Sequence, residues 1–249
     1  MKNACFNELI EQNQIYLYLT EKLDIPKSFY SSNIPNVCNS MNLNYSLIES
    51  LLKTYDDTYE FPYDEFNKIP LDEILNYLEL THQFYLNKKL PKIEQTALQV
   101  FKKYNSSHQL LSLLCLFFND YKNRLQEHIR YEEKEFFPYI VRLSKLNKHS
   151  TEEEIMHVLN SFSVRQFINN HTKIEDELQE VRKVIVKHTN SRSTPLPYRI
   201  FLSQLQNFEV ELTKHALLED EILIPMVIAK ESQLLNEAAK TTLKKNNFT

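Results

Sequence analysis

The chain has 249 residues, 29 Lys and Arg against 33 Asp and Glu, 42% hydrophobic residues and no glycine. Common phosphate and acyl-transfer sites rest on backbone conformations that glycine alone adopts cheaply, so the dinucleotide fingerprint, the P-loop and the G-x-S-x-G nucleophile elbow are all excluded. Two-residue hairpins also lean on Asn-Gly or Gly-X turns, which leaves an all-α protein as the expectation.

A formal charge of −4 is mild, and acidic and basic residues are interspersed, so neither nucleic acid nor a membrane surface is an expected partner. The apolar stretches at 110–118 and 222–229 fall far short of the roughly 20 residues a spanning helix needs. Residues 1–13 contain no continuous apolar signal region. Cys5, Cys38 and Cys115 form neither an even disulfide framework nor a C-x-x-C zinc pattern, which fits a reducing, cytoplasmic setting.

Residues 1–70 read as a small helical N-terminal domain. Helical patches at 14–23 and 45–55 are separated by Pro26, Pro35, Pro62, Pro70 and by Asn/Ser clusters. From Leu71 the apolar period lengthens to 3.6 residues, and four helices follow. The first spans 71–104 and ends at Asn105-Ser106-Ser107. The second opens on the capping pattern Ser106-x-x-Gln109 and runs to about Leu146, before the acidic linker around Thr151 to Glu154. The third opens on Ser163-x-x-Gln166 and runs to about His188. The fourth follows Thr194-Pro195-Leu196-Pro197, where first-turn proline is tolerated, and ends near Ser232, leaving 233–249 as a polar C-terminal tail. The arrangement predicted for 71–232 is an antiparallel, up-down-up-down four-helix bundle.

Metal-capable residues fall on the apolar stripe of every helix. His82 lies among Leu71, Leu75, Leu78 and Tyr85; His128 and Glu132 follow Phe118, Tyr121 and Leu125; His171 lies between Phe167 and Ile174; His215 and Glu219 follow Phe208 and Leu212. One histidine on such a stripe is more often a hydrogen-bonded core residue than a ligand. Four on four helices, with two carboxylates that are costly to bury, form a pattern. His149/Glu153 has the same H-x-x-x-E spacing but lies in the acidic linker and reads as surface.

The pattern is also duplicated. His128-Ile-Arg-Tyr-Glu132-Glu133 precedes Pro138-Tyr-Ile140, and His215-Ala-Leu-Leu-Glu219-Asp220 precedes Pro225-Met-Val227. Both read H-x-x-x-E-[ED]-x-x-x-x-P-x-[IV], with a stripe histidine 46 residues upstream of His128 and 44 upstream of His215. Residues i and i+4 share one helix face about 5–6 Å apart, so each His-Glu pair can reach one ion while its carboxylate bridges to a second. Four imidazoles and two carboxylates are a two-metal count. Without thiolate this donor set suits iron better than a structural zinc site, with manganese also open. Two carboxylates leave a diferrous pair, or an oxo-bridged diferric pair, with a charge suited to an anionic or electron-rich diatomic ligand. Pro138 and Pro225 are expected to kink or loosen the helices beyond the site.

Residues 71 to about 230 resemble the hemerythrin-like di-iron bundle. The set His82, His128, Glu132, His171, His215 and Glu219 is similar to that of the iron–sulfur cluster repair family, also described as repair of iron centres or regulator of cell morphogenesis and nitric oxide signalling. The resemblance implies that these six residues bind two iron ions bridged by oxo and carboxylate groups. It further implies a role in nitrosative or oxidative damage to iron–sulfur clusters, with dioxygen, nitric oxide or peroxide as small ligand and damaged iron–sulfur proteins as clients. Reversible carriage or sensing of dioxygen or nitric oxide is the alternative, and a homodimer through residues 1–70 is a candidate assembly. Many family members carry a Cys-Cys-Gly-Gly segment; the corresponding region here offers only Cys38.

Other residues are read more plainly. Glu175, one turn past His171, is either a further donor or a solvent-facing charge. His108 lies about 30 Å along the helix from His128, at 1.5 Å per residue, and cannot join it. His149, His157 and His188 read as surface, and Cys115 as a small core residue. Tyr85 and Tyr121 read as packing residues that are also candidates to hydrogen-bond a bound ligand.

Overall fold

The computed structural model describes residues 4–56, 58–104, 109–147, 149–170, 174, 176–180, 183 and 196–246. Five short helices come first: α1 (Phe6–Gln12), α2 (Ile15–Lys22), α3 (Ile34–Met41), α4 (Tyr45–Thr54) and α5 (Tyr63–Phe66). Asn33 and Asn44 cap α3 and α4 by accepting first-turn backbone N–H groups that have no partner within the helix. Asp24 and Asn42 stand at φ 47° and 53° at helix ends that would ordinarily take glycine. The Ile25 N–H donates to the Thr20 carbonyl and the Leu43 N–H to the Cys38 carbonyl, each closing a Schellman-type end.

The long helices begin at Leu71, as the change of period predicts. Helix α6 (Leu71–Phe84) passes through a five-residue π-helical turn, Tyr85–Lys89, into α7 (Leu90–Tyr104). Helix α8 (Gln109–Tyr131) passes through a second π-turn, Glu132–Phe136, into α9 (Phe137–Lys145). The stretch read as an acidic linker contains a helix, α10 (Glu152–Leu159). Its acidic residues form the first turn, where they complement the helix dipole. The Glu154 N–H donates to Thr151 Oγ1 and the Thr151 N–H to Glu154 Oε2, so the capping box missed in the sequence starts here.

Helix α11 (Val164–Asn170) starts at the expected Ser163, whose Oγ accepts from the Gln166 N–H. Residues 174, 176–180 and 183 are helical as well. Ser106, His108, His171, Glu175 and His188 lie outside the described residues, so the predicted second cap is not among those observed. Helix α12 (Leu196–Leu218) passes through a third π-turn, Glu219–Leu223, into α13 (Ile224–Asn246). Helix α13 thus continues past Ser232, because Val227, Leu234 and Ala238 keep one buried face on it and α10 packs along that helix. Among the described residues there is no strand, only an isolated bridge between Cys5 and Asn33, and no helix is long and apolar enough to cross a membrane.

Two apolar clusters occupy the interior. One joins the N-terminal helices, through residues such as Phe6, Leu19 and Leu52, to Leu78, Phe136, Phe137, Phe167 and Leu223. The other contains Tyr85, Ile93, Phe118, Leu125, Ile174, Phe208 and Leu212. On α6, α8 and α12 the predicted histidines fall where one cluster gives way to the other. The same change occurs between Phe167 and Ile174, the interval of sequence that contains His171.

A buried ion pair ties the N-terminal helices to the bundle. Lys22, at the end of α2, pairs with Glu211 of α12, both side chains being almost wholly buried. Lys22 Nζ also donates to Tyr55 Oη at 2.9 Å and Tyr77 Oη at 3.3 Å. Burial alone would lower the Lys22 pKa, but Glu211 and Tyr77 more than offset it and hold the group above its usual value. Removing one member of a buried pair strands the other charge at a cost of about 3–5 kcal/mol. Lys22→Met should therefore lower the unfolding free energy in urea by that order, and Lys22→Met with Glu211→Leu by distinctly less.

Candidate di-metal centre

The site follows from one side-chain spacing repeated on two helices and met by a third. On α8 the i, i+4 pair His128 and Glu132 straddles the start of a π-turn, and on α12 His215 and Glu219 do the same. His82 comes from α6, one residue short of a full turn before the π-turn at Tyr85. Each wide turn is closed by a backbone N–H five residues on: Leu90 to Tyr85, Phe137 to Glu132 and Ile224 to Glu219. A proline follows each closing residue, at Pro91, Pro138 and Pro225.

Proline supplies no N–H and its ring presses on the carbonyl four residues back. Widening the preceding turn by one residue relieves that conflict, and α9 and α13 then continue regularly through their prolines. The sequence predicts helices kinked or loosened beyond the site; they are loosened instead at the site, beginning at the glutamates themselves. Pro91, nine residues after His82, is a third such signal in the sequence.

Five of the six sequence-predicted ligands converge. His82, Glu132 and Glu219 are essentially inaccessible, His215 is 9% exposed, and the His128 side chain is 14% exposed. Donor atoms of His82, Glu132 and His215 lie within 4.8 Å of one another, as do those of His128, Glu132 and Glu219, so Glu132 belongs to both groups. His82 Nε2 is 3.2 Å from His215 Nε2 and 3.3 Å from Glu132 Oε2. His128 Nε2 is 2.8 Å from Glu132 Oε1, and His215 Nε2 is 4.0 Å from Glu219 Oε2. Ligands about 2.1 Å from a shared ion and at right angles to each other lie about 3 Å apart, close to the His82–His215, His82–Glu132 and His128–Glu132 separations and shorter than that of His215 and Glu219. His171 lies outside the described residues.

The electrostatics fit electron-pair donation. Burial holds the His215 imidazole well below its usual pKa, and neighbouring His82 pushes it the same way, so the ring is neutral near pH 7. Two facing Nε2 atoms can share a proton in one tautomer, whereas a cation takes a lone pair from each. Phe137 lies parallel to the His82 ring, 4° from coplanar with centroids 5.3 Å apart, and fixes its orientation. Glu133 Oε1 stands 3.3 Å from His82 Nδ1, on the side of the ring away from Nε2. The acidic residue after Glu in the repeated motif was its only trace in the sequence.

Tyr85 is fully buried, edge-on to His215 at 5.8 Å, and donates to the Glu211 carbonyl, so its hydroxyl is committed to the backbone. Tyr121 is fully buried too. A cavity of about 10 Å³ lies beside Tyr85, His128, His215 and Glu219, walled by Leu125, Ile129 and Leu212. A second of similar size lies between His215 and the Lys22, Tyr55, Tyr77 cluster. Sequence reasoning missed Lys22 and Glu211, although Glu211 stands one turn before His215. His149 and His157 are exposed, as expected. Cys38 is buried, and desolvation pushes its thiol up to about 11.

The chain is 22% identical over 173 residues to the iron-sulfur cluster repair protein ScdA of Staphylococcus haemolyticus, covering 64% of this chain and 74% of that one. It is 19% identical over 157 residues to the ScdA proteins of two Staphylococcus epidermidis strains, covering 63% of this chain and 66% of theirs. The chain is a distant homologue of the ScdA iron–sulfur cluster repair proteins. No family model matches it. The all-α architecture is consistent with a hemerythrin-like fold, and the buried His/Glu groups could hold metal ions.

Phe137 carries both the local core and the His82 ring. Phe137→Ala should cost roughly 3–5 kcal/mol of unfolding free energy, as for other buried aromatics, measured by urea denaturation of the metal-free chain.

Proposed function

We propose that this protein is a non-haem di-iron protein acting in the repair of iron–sulfur clusters damaged by nitric oxide or oxidants. The observation that carries the reading is Glu132, a carboxylate without exposed surface that lies within donor distance of both His/Glu groups. In this reading His82, His215 and Glu132 would hold one iron and His128, Glu132 and Glu219 the other, with His171, named by the sequence pattern, completing the set. Two irons held there would supply one-electron redox chemistry and coordination positions for a diatomic ligand or peroxide.

The chain's own residues define what reaches them. The cavity beside His128 and Glu219 holds about one small molecule, and its Leu125, Ile129 and Leu212 wall favours an uncharged diatomic such as nitric oxide or dioxygen. Tyr85 and Phe137 close the apolar sides, and Glu133 stands beside the outer nitrogen of the His82 ring. The distant homology to proteins named for iron–sulfur cluster repair supplies the client class. A second reading, reversible carriage or sensing of dioxygen or nitric oxide, is favoured by Cys38: its thiol is buried and protonated near pH 7, so it offers no nucleophile for thiol-dependent repair.

Two measurements test these readings. Purified protein should hold about two iron atoms per chain, one for each donor group. Glu132→Ala should reduce that to near zero, whereas His128→Ala should leave a larger fraction; full iron retention in Glu132→Ala would refute the shared-carboxylate site. Iron-loaded protein should restore activity to a dehydratase whose iron–sulfur cluster has been damaged by nitric oxide. No restoration, together with reversible one-to-one ligand binding, would select carriage.

A further inference from the structure

Lys89 is the last residue of the first π-turn and is 5% exposed, yet among the described residues no oxygen accepts a hydrogen bond from its ammonium and no carboxylate pairs with it. Its contact is the face of Tyr18, whose ring centroid lies 3.3 Å from Nζ. A ring face attracts the positive charge but accepts none of the three N–H bonds in the way an oxygen would. The side chain lines a cavity of about 360 Å³ between α2, the first π-turn with α7, and α12, together with Tyr18, Glu21, Lys88, Lys92 and Gln204.

A second observation comes from another helix. Among the described residues Gln204 Oε1 is buried and has no hydrogen-bond partner, so a side-chain amide on α12 is left for whatever fills the cavity. By rotation it can present either its carbonyl or its NH₂ group.

The charges around the cavity define its occupant. Lys88 is committed to Asp24 at 2.9 Å and to the Glu21 carbonyl at 3.2 Å, which accounts for one acidic neighbour just past the end of α2. Lys92, exposed at the rim and without an ion pair among the described residues, adds a second cation one turn along α7. Of the other charged groups felt by Lys89, Glu211 is paired with Lys22 deeper in the core, and Glu21 lines the wall. Two ammonium groups and an amide therefore face a volume several times that of a water molecule, with one carboxylate on its edge.

We propose that this cavity is a binding site for a small oxyanion, a sulfate, phosphate or carboxylate group, held by Lys89 and Lys92 with Gln204 as a hydrogen-bonding partner. The site is separate from the His/Glu layer: Lys89 lies seven residues beyond His82 on the same helix, about 10 Å along the axis at 1.5 Å per residue. Burial lowers the Lys89 ammonium to about 7, Lys92 and Lys22 acting in the same direction against Glu211 and Glu21. An anion brings the counter-charge that burial denies, so binding should take up a proton above pH 7 and weaken as pH rises through that value.

The probe is sulfate, whose charge does not change between pH 6 and 8.5, titrated calorimetrically into the full-length protein as purified. One site is expected, with affinity falling at least tenfold from pH 6 to pH 8.5. Lys89→Met should lower the affinity at pH 6 at least tenfold, with unchanged circular dichroism and iron content; Lys183→Met, at an exposed position, should leave it unchanged. Acetate in place of sulfate distinguishes a carboxylate site, by tighter binding, from one for tetrahedral anions. If Lys89→Met does not fold, the Cε resonance of ¹³C-lysine-labelled wild-type protein replaces it: one lysine should titrate near pH 7 and move upward by at least one pH unit in saturating sulfate. Unaltered sulfate binding in a folded Lys89→Met protein, or no such shift in the wild type, overturns the proposal.

Discussion

Glu132 sets the terms for the rest of the molecule. A carboxylate at the centre of a helical bundle, without exposed surface, requires positive charge close by, because its hydration is lost and the apolar surroundings return little. His215 beside it is kept neutral by burial, and the nearby Lys22 ammonium is engaged with Glu211. Both His/Glu groups overlap on this one residue. The apolar clusters above and below exclude water from the layer, which strengthens every charge interaction in it.

The three π-turns explain how helices with an ordinary apolar period can bring such a layer together. Each inserts one extra residue beside a donor position and resets the phase of the stripe, so that Phe136 and Phe137, or Ile222 and Leu223, return to the core after Glu132 and Glu219. Widened turns of this kind occur frequently at functional sites. Here a proline downstream holds each one open, which couples the position of a donor to a residue that touches neither donor group.

Much of this was legible in the sequence because the information is periodic. The stripes through His82, His128 and His215, and the twice-used H-x-x-x-E motif, are one-dimensional patterns that a helix turns directly into a shared face. Helix α10 was not legible, since its acidic first turn resembles a solvated linker until Ile155 is seen to be buried. Lys22 and Glu211 were not legible either: their pairing joins residues 189 positions apart, and neither spacing nor composition marks a lysine in a short helix as buried. Lys89 escaped for the same reason, since its burial depends on Tyr18 and Gln204 from two other helices.

The absence of glycine acts on the other side of the folding equilibrium as well. Glycine gives an unfolded chain extra conformations, and replacing it where the native backbone allows favours folding by about 0.4–1 kcal/mol per position through the unfolded ensemble alone. In this chain every residue carries at least a Cβ. The left-handed helix ends at Asp24 and Asn42 accept a local steric penalty in the native state, while the disordered chain at the same positions has fewer conformations to forfeit. Part of the freedom to bury Glu132, Lys22 and Lys89 can thus come from the poverty of the unfolded ensemble as well as from contacts in the folded one.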